Sequence, residues 1–250
     1  MDLKDFFADH PRVAVAFSGG VDSSYTLASA LTYAQAAHAY FVKSAFQPAF
    51  ELEDARRVAS LLDAPLTVLD VDVLANPRVT VNPVDRCYFC KQAVFGAIGQ
   101  AARADGFDTI VDGTNATDDA SDRPGMRALA EMGVLSPLRL CGIGKADVRR
   151  GAKDLGLPTW DKPSYACLAT RIPTGQEITA ESLARTERAE SFLFDRGLSD
   201  LRVRTVGEAA KIQVPAAQFP LVMAHRREIV DALSADYSDV WLDLEARDEQ

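Results

Sequence analysis

The chain has 250 residues, 36 of them Asp or Glu against 27 Lys or Arg, for a formal net charge of −9 at pH 7. That length buries enough apolar surface to fold without disulfide staples, and the acidic balance speaks against a nucleic-acid partner, whose binding draws on basic groups. No run of about 18 apolar residues is present to span a membrane; the opening Met1-Asp2-Leu3-Lys4-Asp5 lacks the basic head and apolar stretch of a secretory signal, so a cytoplasmic location is expected.

The apolar run 12–17, bounded by Pro11 and Ser18-Gly19-Gly20, predicts a buried strand. Residues 23–34 follow as a helix with an acid and hydroxyls at its start. A strand over 38–42 leads into a loop at Gln47-Pro48, and beyond it Leu52, Ala55, Val58, Ala59 and Leu62 share one helical face. Residues 66–73 and 109–111 read as two more strands with a helix over 91–104 between them, and Gly113 closes the last. Strands alternating with helices imply an α/β domain over 1–165, a parallel sheet with helices on both faces. The rest changes character: a helix over 145–155, a stretch holding Pro158, Pro163, Pro173 and Gly175, a charged helix over 181–196, strands at 201–205 and 211–214, a helix over 220–234 and a strand at 240–242. This predicts a small C-terminal α+β lobe over 166–250.

The segment Ser18-Gly19-Gly20-Val21-Asp22-Ser23-Ser24 joins the first strand to the first helix. Adjacent glycines let a backbone turn tightly and approach an anion, and the following helix points free N–H groups and its positive dipole end at the same place. Ser18, Ser23 and Ser24 add hydroxyl donors. Asp22 is out of place in a phosphate nest unless a magnesium ion bridges it to the phosphates. A strand-to-helix turn that merely needs glycine is the plain alternative. No Gly-Lys-Ser/Thr is present, which excludes a Walker-type loop.

Asp112-Gly113-Thr114-Asn115 leaves the fourth strand at the sheet's carboxyl edge, where open α/β sheets bind ligands; a simple turn is again the alternative. The acidic continuation through Asp118 and Asp119 suits a second metal or ribose contact, and Lys43 and Ser44 follow the second strand where an adenine pocket would lie. Of the four cysteines, Cys87 and Cys90 form a Cys-x-x-Cys ahead of the helix at 91–104. In a reducing compartment such a pair is more often a metal or redox site than a disulfide. A zinc knuckle, or small buried residues, are the competing readings. Cys141 has no motif around it and reads as structural.

Ser-Gly-Gly-Val-Asp-Ser matches the pyrophosphate loop (PP-loop) of the N-type ATP pyrophosphatases, which cleave between the α- and β-phosphates. With it, in order along nearly the whole chain, stand Arg86-Cys87-x-x-Cys90-Lys91, Gly113-Thr114-Asn115-Ala116-x-Asp118-Asp119 with Arg123-Pro124-Gly125, Leu157-Pro158-x-Trp160-x-Lys162-Pro163, Ala166-Cys167-Leu168-Ala169-x-Arg171, Arg202-Val203-Arg204 and Asp243-Leu244-Glu245. Together they resemble the LarE family. The resemblance implies an ATP-dependent sulfurtransferase of nickel-pincer nucleotide cofactor biosynthesis. Such an enzyme adenylylates a carboxylate of pyridinium-3,5-biscarboxylic acid mononucleotide and converts it to a thiocarboxylate. It also implies a small-molecule nucleotide substrate, a homo-oligomer (often a hexamer) and a nickel-inserting protein downstream.

Two sulfur sources occur in that family. Some members sacrifice a cysteine, which here would be Cys167; others carry a [4Fe-4S] cluster on three cysteines, here Cys87, Cys90 and Cys167. Three thiolates leave one iron of a cubane open, and the three-cysteine set makes the cluster the expected form. Asp22, with Asp118 or Asp119, is the expected magnesium site, and Asp22 and Cys167 are the expected catalytic residues. Arg171, Arg202 and Arg204 are candidates for the substrate's phosphate and free carboxylate, which a guanidinium fork suits. Gln213 stands where many relatives have Glu, a departure that puts an acidic role there in doubt. Two rival readings remain: a PP-loop tRNA thiolase, which needs a basic RNA surface, and a nucleotide- or zinc-binding scaffold without catalysis.

Overall fold

The computed structural model describes residues 1–118 and 124–247. In chain order it runs α1 (Leu3–Asp9), β1 (Arg12–Ala16), α2 (Val21–Tyr33), β2 (Ala36–Lys43), α3 (Ala49–Leu61), β3 (Leu66–Asp70), α4 (Pro77–Thr80), α5 (Arg86–Ala104), β4 (Thr109–Val111), α6 (Pro124–Glu131), α7 (Pro137–Leu140), α8 (Lys145–Asp154), α9 (Ala180–Phe194), β5 (Arg202–Val206), β6 (Ala209–Gln213), α10 (Phe219–Ala224), α11 (Arg226–Leu233) and β7 (Asp239–Leu242). The chain divides into two compact units, Met1–Val73 with Asp85–Lys162, and Leu74–Val84 with Pro163–Gln250.

The first unit is built on a parallel sheet of order β3-β2-β1-β4. Side chains alternate across a strand, so the apolar runs 13–16 of β1 and 39–42 of β2 serve two faces. Val13, Val15, Ala37, Ala39 and Phe41 point into one cluster with α1, α2, α3 and α8, through Phe7, Leu27, Val58 and Val148. Ala14, Tyr40 and Val42 point into the other with α5 and α6, through Phe95, Ile98, Ala102 and Leu129. The α/β class with helices on both faces is therefore what the sequence pattern implies.

The boundaries differ in instructive ways. Helix α1 was not expected: seven residues are marginal for a helix in water. Reciprocal capping between Asp2 and Asp5 and the full burial of Phe6 and Phe7 hold it. Helix α2 begins at Val21, two residues before the expected start, which puts Asp22 and Ser23 in its first turn. Helix α5 begins at Arg86, so the Cys-x-x-Cys lies inside the helix and not ahead of it. Strand β3 ends at Asp70, and Val73 belongs to a short 3-10 turn.

The second unit carries a sheet of order β5-β6-β7, with β5 and β6 antiparallel and β6 and β7 parallel. Gly207, at φ +59°, turns the hairpin. Leu193, Leu201, Val203, Ile212 and Val214 form its core with α9 and α11. The expected helix over 220–234 is broken at His225 into α10 and α11. Residues of the Leu74–Val84 segment join this unit through Asn82, whose amide donates to the Pro173 carbonyl at 2.8 Å. The Thr80 carbonyl likewise accepts from the Ile178 N–H at 2.7 Å. Among the described residues no helix is long and apolar enough to cross a membrane.

Candidate functional site

Strand β1 lies between β2 and β4, so the chain leaves β1 toward one side of the sheet and later returns on the other. Open α/β sheets bind ligands at such a switch point, outside the carboxyl ends of the strands. Two loops emerge there, Ser18–Gly20 after β1 and the segment from Asp112 to Asp118 after β4.

The first loop is a tight turn. Gly19 has φ +72°, and a Cβ on it would stand 3.0 Å from the backbone nitrogen of Ala55, so only glycine fits on both counts. Gly20 is the N-cap of α2 and supplies no side chain to the N–H groups of the first turn. Those N–H groups face outward with the positive end of the helix dipole. The loop is braced from within: Ser23 Oγ donates to the Gly20 carbonyl at 3.1 Å and accepts from the Ser18 N–H at 3.2 Å. Ser24 is fully buried, and its hydroxyl has no hydrogen-bond partner.

The second loop packs directly on α2. A Cβ on Gly113 would stand 2.7 Å from the backbone nitrogen of Ser23. Asn115 Nδ2 donates to Asp22 Oδ1 at 3.2 Å and to Asp118 Oδ2 at 3.0 Å. Asp112, although acidic and at the strand end, is committed to the loop itself. It accepts from the Thr114 N–H at 3.1 Å, the Thr114 hydroxyl at 2.6 Å and the Ser136 hydroxyl at 2.7 Å. Asp22 also carries an ion pair with Lys145 at the start of α8, and Arg139 donates to the carbonyls of Asn115 and Asp118. Sequence reasoning singled out neither Lys145 nor Arg139; the only signal was a Gly-Lys pair opening a helix.

The structure thus brings Ser18, Gly19, Gly20, Val21, Asp22, Ser23, Ser24, Gly113, Thr114, Asn115 and Asp118 together at one end of the sheet. Asp119 lies outside the described residues. Lys43 ends β2 at the same sheet edge, exposed and 3.8 Å from Asp70. Ser44 spends its hydroxyl on Gln47 Oε1 at 2.6 Å.

Cys87 and Cys90 stand three residues apart in α5 and so share a face of the helix, Cys87 exposed and Cys90 half-buried. Arg86 Nη2 donates to Cys87 Sγ at 3.7 Å. Cys167 is half-buried in the second unit, and none of the four cysteines is joined in a disulfide. Among the described residues no group of three or more His, Cys, Asp or Glu side chains is gathered as a metal site. Burial raises the Cys141 thiol pKa, as suits a packed side chain.

In the second unit the three expected arginines sit close to one another. Arg171 is buried, paired with Glu190 and donating through Nη1 to the carbonyl of Ala166 at 2.8 Å and of Cys167 at 3.3 Å. Arg202 donates to the carbonyls of Leu201 and Ser164, each at 2.6 Å. Arg204 reaches Thr170 O at 2.7 Å and Gln213 Oε1 at 2.6 Å, and Gln213 passes the contact on to Asp243 at 2.7 Å. Burial, then the nearby Arg171 and Arg247, lower Arg202 to about 10 and lower Arg204 as well. Glu190, which ties Tyr165, Arg171 and the Val203 N–H together, was invisible in sequence because it reads as one more acid of a charged helix.

Fold and site define an open α/β protein with an anion-type loop at the switch point of a parallel sheet. No family model matches the chain. It is 31% identical over 212 residues to the pyridinium-3,5-bisthiocarboxylic acid mononucleotide synthase of Lactiplantibacillus plantarum, a match that covers 84% of this chain and 77% of the synthase. It is also 39% identical over 220 residues to an uncharacterized protein of Synechocystis sp., covering 87% and 81% of the two chains. A further uncharacterized protein, of Methanocaldococcus jannaschii, is 32% identical over 213 residues, covering 85% and 81%. The chain belongs to the family of the bisthiocarboxylic acid mononucleotide synthase, the LarE family.

Proposed function

We propose that the chain is an ATP-dependent sulfurtransferase that converts a carboxylate of pyridinium-3,5-biscarboxylic acid mononucleotide to a thiocarboxylate in nickel-pincer cofactor biosynthesis. The observation that carries the reading is the meeting of the Ser18–Gly20 turn with the Asp112–Asp118 loop over the uncapped start of α2, in a chain of the synthase's family. A carboxylate is a poor electrophile because oxide does not leave. Attack of its oxygen on the α-phosphorus of ATP releases pyrophosphate and leaves an acyl-adenylate, from which a sulfur nucleophile expels AMP.

The residues fit these roles. The first-turn N–H groups of α2 and the Ser18 hydroxyl offer donors to the departing pyrophosphate, while Ser23 braces the turn from within. A magnesium ion at Asp22 and Asp118 would offset the pyrophosphate charge; both carboxylates sit within the loop pair, whereas Asp112 is fully engaged by Thr114 and Ser136. Lys43 and Ser44, at the end of the adjoining strand, would line the adenine pocket. Arg202 and Arg204 are crowded by like charge, a cost an anionic substrate group would offset. Cys87 and Cys90, side by side on α5, have thiolate chemistry suited to iron; a [4Fe-4S] cluster on them and Cys167 would supply the transferable sulfide.

The test is an anaerobic incubation with ATP, magnesium and the pyridinium bis-acid mononucleotide. AMP, pyrophosphate and a product with sulfur in place of oxygen support the reading; ADP with phosphate, or no turnover, overturns it. Visible absorption and iron content of the wild type and of Cys87→Ser then test the sulfur source. A colourless, iron-free wild type whose mass falls by one hydrogen sulfide on turnover would replace the cluster with sacrifice of Cys167.

A further inference from the structure

Cys167 ends a segment with little apolar surface of its own to bury: Pro163 and Ala166 are exposed, Ser164 and Cys167 half-buried. Polar contacts fix its backbone instead. Arg202 Nη2 donates to the Ser164 carbonyl at 2.6 Å, and Arg171 Nη1 to the Ala166 carbonyl at 2.8 Å. The Cys167 carbonyl accepts from the Thr170 N–H at 3.0 Å, the Thr170 hydroxyl at 2.9 Å and Arg171 Nη1 at 3.3 Å. Tyr165 is fastened through its side chain. Its hydroxyl donates to Glu190 Oε2, and the guanidinium carbons of Arg171 and Arg202 lie 4.7 Å and 5.1 Å from its ring centroid. Phe194 of α9 stands against the same ring, 6.4 Å between centroids. The two guanidinium groups repel each other, and an aromatic ring attracts a cation held within about 6 Å of its centroid, so this one ring eases both charges.

We infer that Tyr165 is a positioning residue that fixes Cys167, as sulfur donor or as cluster ligand, relative to the guanidinium of Arg202. The carbonyls on either side of residue 165 belong to Ser164 and Ala166, and each is held by an arginine that also meets the Tyr165 ring. The ring therefore sets the spacing of the two arginines and, through them, the course of the backbone into Cys167. The hydroxyl is the lesser part, because Glu190 keeps Arg171 and the Val203 N–H without it. Tyr165 acts through Cys167 and not on the reacting atoms: it governs where the sulfur stands for the step that expels AMP. The inference rests on the sulfurtransferase reading and on the part proposed there for Cys167.

Anaerobic single-turnover assays of the full chain with ATP, magnesium and the pyridinium bis-acid mononucleotide test it, because they separate activation from sulfur transfer. Pyrophosphate release reports the first step and thiocarboxylate formation the second. Tyr165→Leu is expected to slow thiocarboxylate formation about 10²-fold, the effect of misplacing a reacting group by an ångström, while pyrophosphate release stays close to the wild-type rate. Tyr165→Phe keeps the ring and is expected to retain most of the sulfur transfer. Should Tyr165→Leu not fold, Tyr165→Met, which also removes the ring, gives the same comparison. Three results overturn the inference: sulfur transfer by the ring-less variant at the wild-type rate, loss of both steps in equal proportion, or Tyr165→Phe as slow as Tyr165→Leu. A wild type that releases pyrophosphate but forms no thiocarboxylate overturns instead the sulfurtransferase reading beneath it.

Discussion

Arg171 and Glu190 meet in a two-pronged ion pair closed to water: Nε to Oε1 at 2.7 Å and Nη2 to Oε2 at 3.1 Å, with side chains 0% and 1% exposed. The same guanidinium holds the carbonyls of Ala166 and Cys167, and the same carboxylate holds Tyr165 and the start of β5. Removing one partner strands a buried charge. Glu190→Ala is therefore expected to cost about 3–5 kcal/mol in urea unfolding. Arg171→Lys keeps the charge but loses the fork. Its expected signature is faster labelling of Cys167 by a thiol reagent, as the carbonyl anchors of that loop are released. Unchanged stability in Glu190→Ala would show the pair to be incidental.

Gly113 and Gly96 make a matched contrast. A Cβ at Gly113 meets the backbone of Ser23 at 2.7 Å, and neither loop can give way without moving the first turn of α2. Gly113→Ala is expected to cost about 1–3 kcal/mol and to lower ATP-dependent pyrophosphate release about 10²-fold, since misplacing a reacting group by an ångström has that effect. Gly96, in α5, has nothing within 4 Å of its missing Cβ. Gly96→Ala is expected to stabilise the protein by about 0.5–1 kcal/mol through helix propensity. Thermal melts and pyrophosphate assays on both variants check the pair.

The contrast marks what a sequence can and cannot disclose. Residues 13–16 of β1 and 39–42 of β2 are apolar without a break because both faces are covered, and that pattern is local, so the parallel sheet was legible. The Gly-Gly turn was legible for the same reason: its requirement for positive φ at Gly19 is written in one residue type. Lys145 was not legible, because its partner lies 123 residues away and only the docking of α8 on α2 brings them together. Cys87 and Cys90 were expected ahead of a helix because Arg-Cys-Tyr-Phe-Cys has weak helix propensity. In the structure α5 starts at Arg86, which is buried with its guanidinium 5.5 Å from the Phe46 ring centroid, and the pair shares one face of the helix. The tie from Asn115 to both Asp22 and Asp118 was not legible either, because it joins two loops 93 residues apart in sequence.

His38 gives the first unit a pH dependence. It stacks on Tyr40 with ring centroids 4.6 Å apart, and its Nε2 lies 2.8 Å from Thr67 Oγ1. Burial lowers its pKa from the ordinary 6.5, with Asp105 opposing. The unfolded chain therefore takes up this proton first as pH falls. The stability contributed by neutral His38 is present above 6.5 and is lost as pH drops through the lowered folded-state value. Chemical unfolding followed between about pH 7 and pH 5 should show a shallower loss of stability for His38→Gln than for the wild type. Parallel curves would assign the acid sensitivity to carboxylates elsewhere.

The arginines of the second unit make the last prediction. Arg202 and Arg204 are lowered first by burial and then by Arg171 and Arg247, so their charged forms are held at a cost that Glu190, Asp200 and Asp243 only partly relieve. One oxygen of Asp200 is buried with no hydrogen-bond partner, so that carboxylate is itself incompletely used. An anion bound beside the guanidinium groups would relieve the repulsion and stabilise the fold by mass action, by about 2.7 kcal/mol at a hundredfold excess over its Kd. Inorganic phosphate should therefore raise the melting temperature more than chloride at equal ionic strength. Phosphate also suits the glycine turn of the first unit, so the assignment depends on a variant. In Arg204→Gln the increment is expected to shrink, while in Gly113→Ala it should keep the contribution of the second unit. If Arg204→Gln leaves the phosphate increment whole, these arginines serve only to fasten the Cys167 loop and β5.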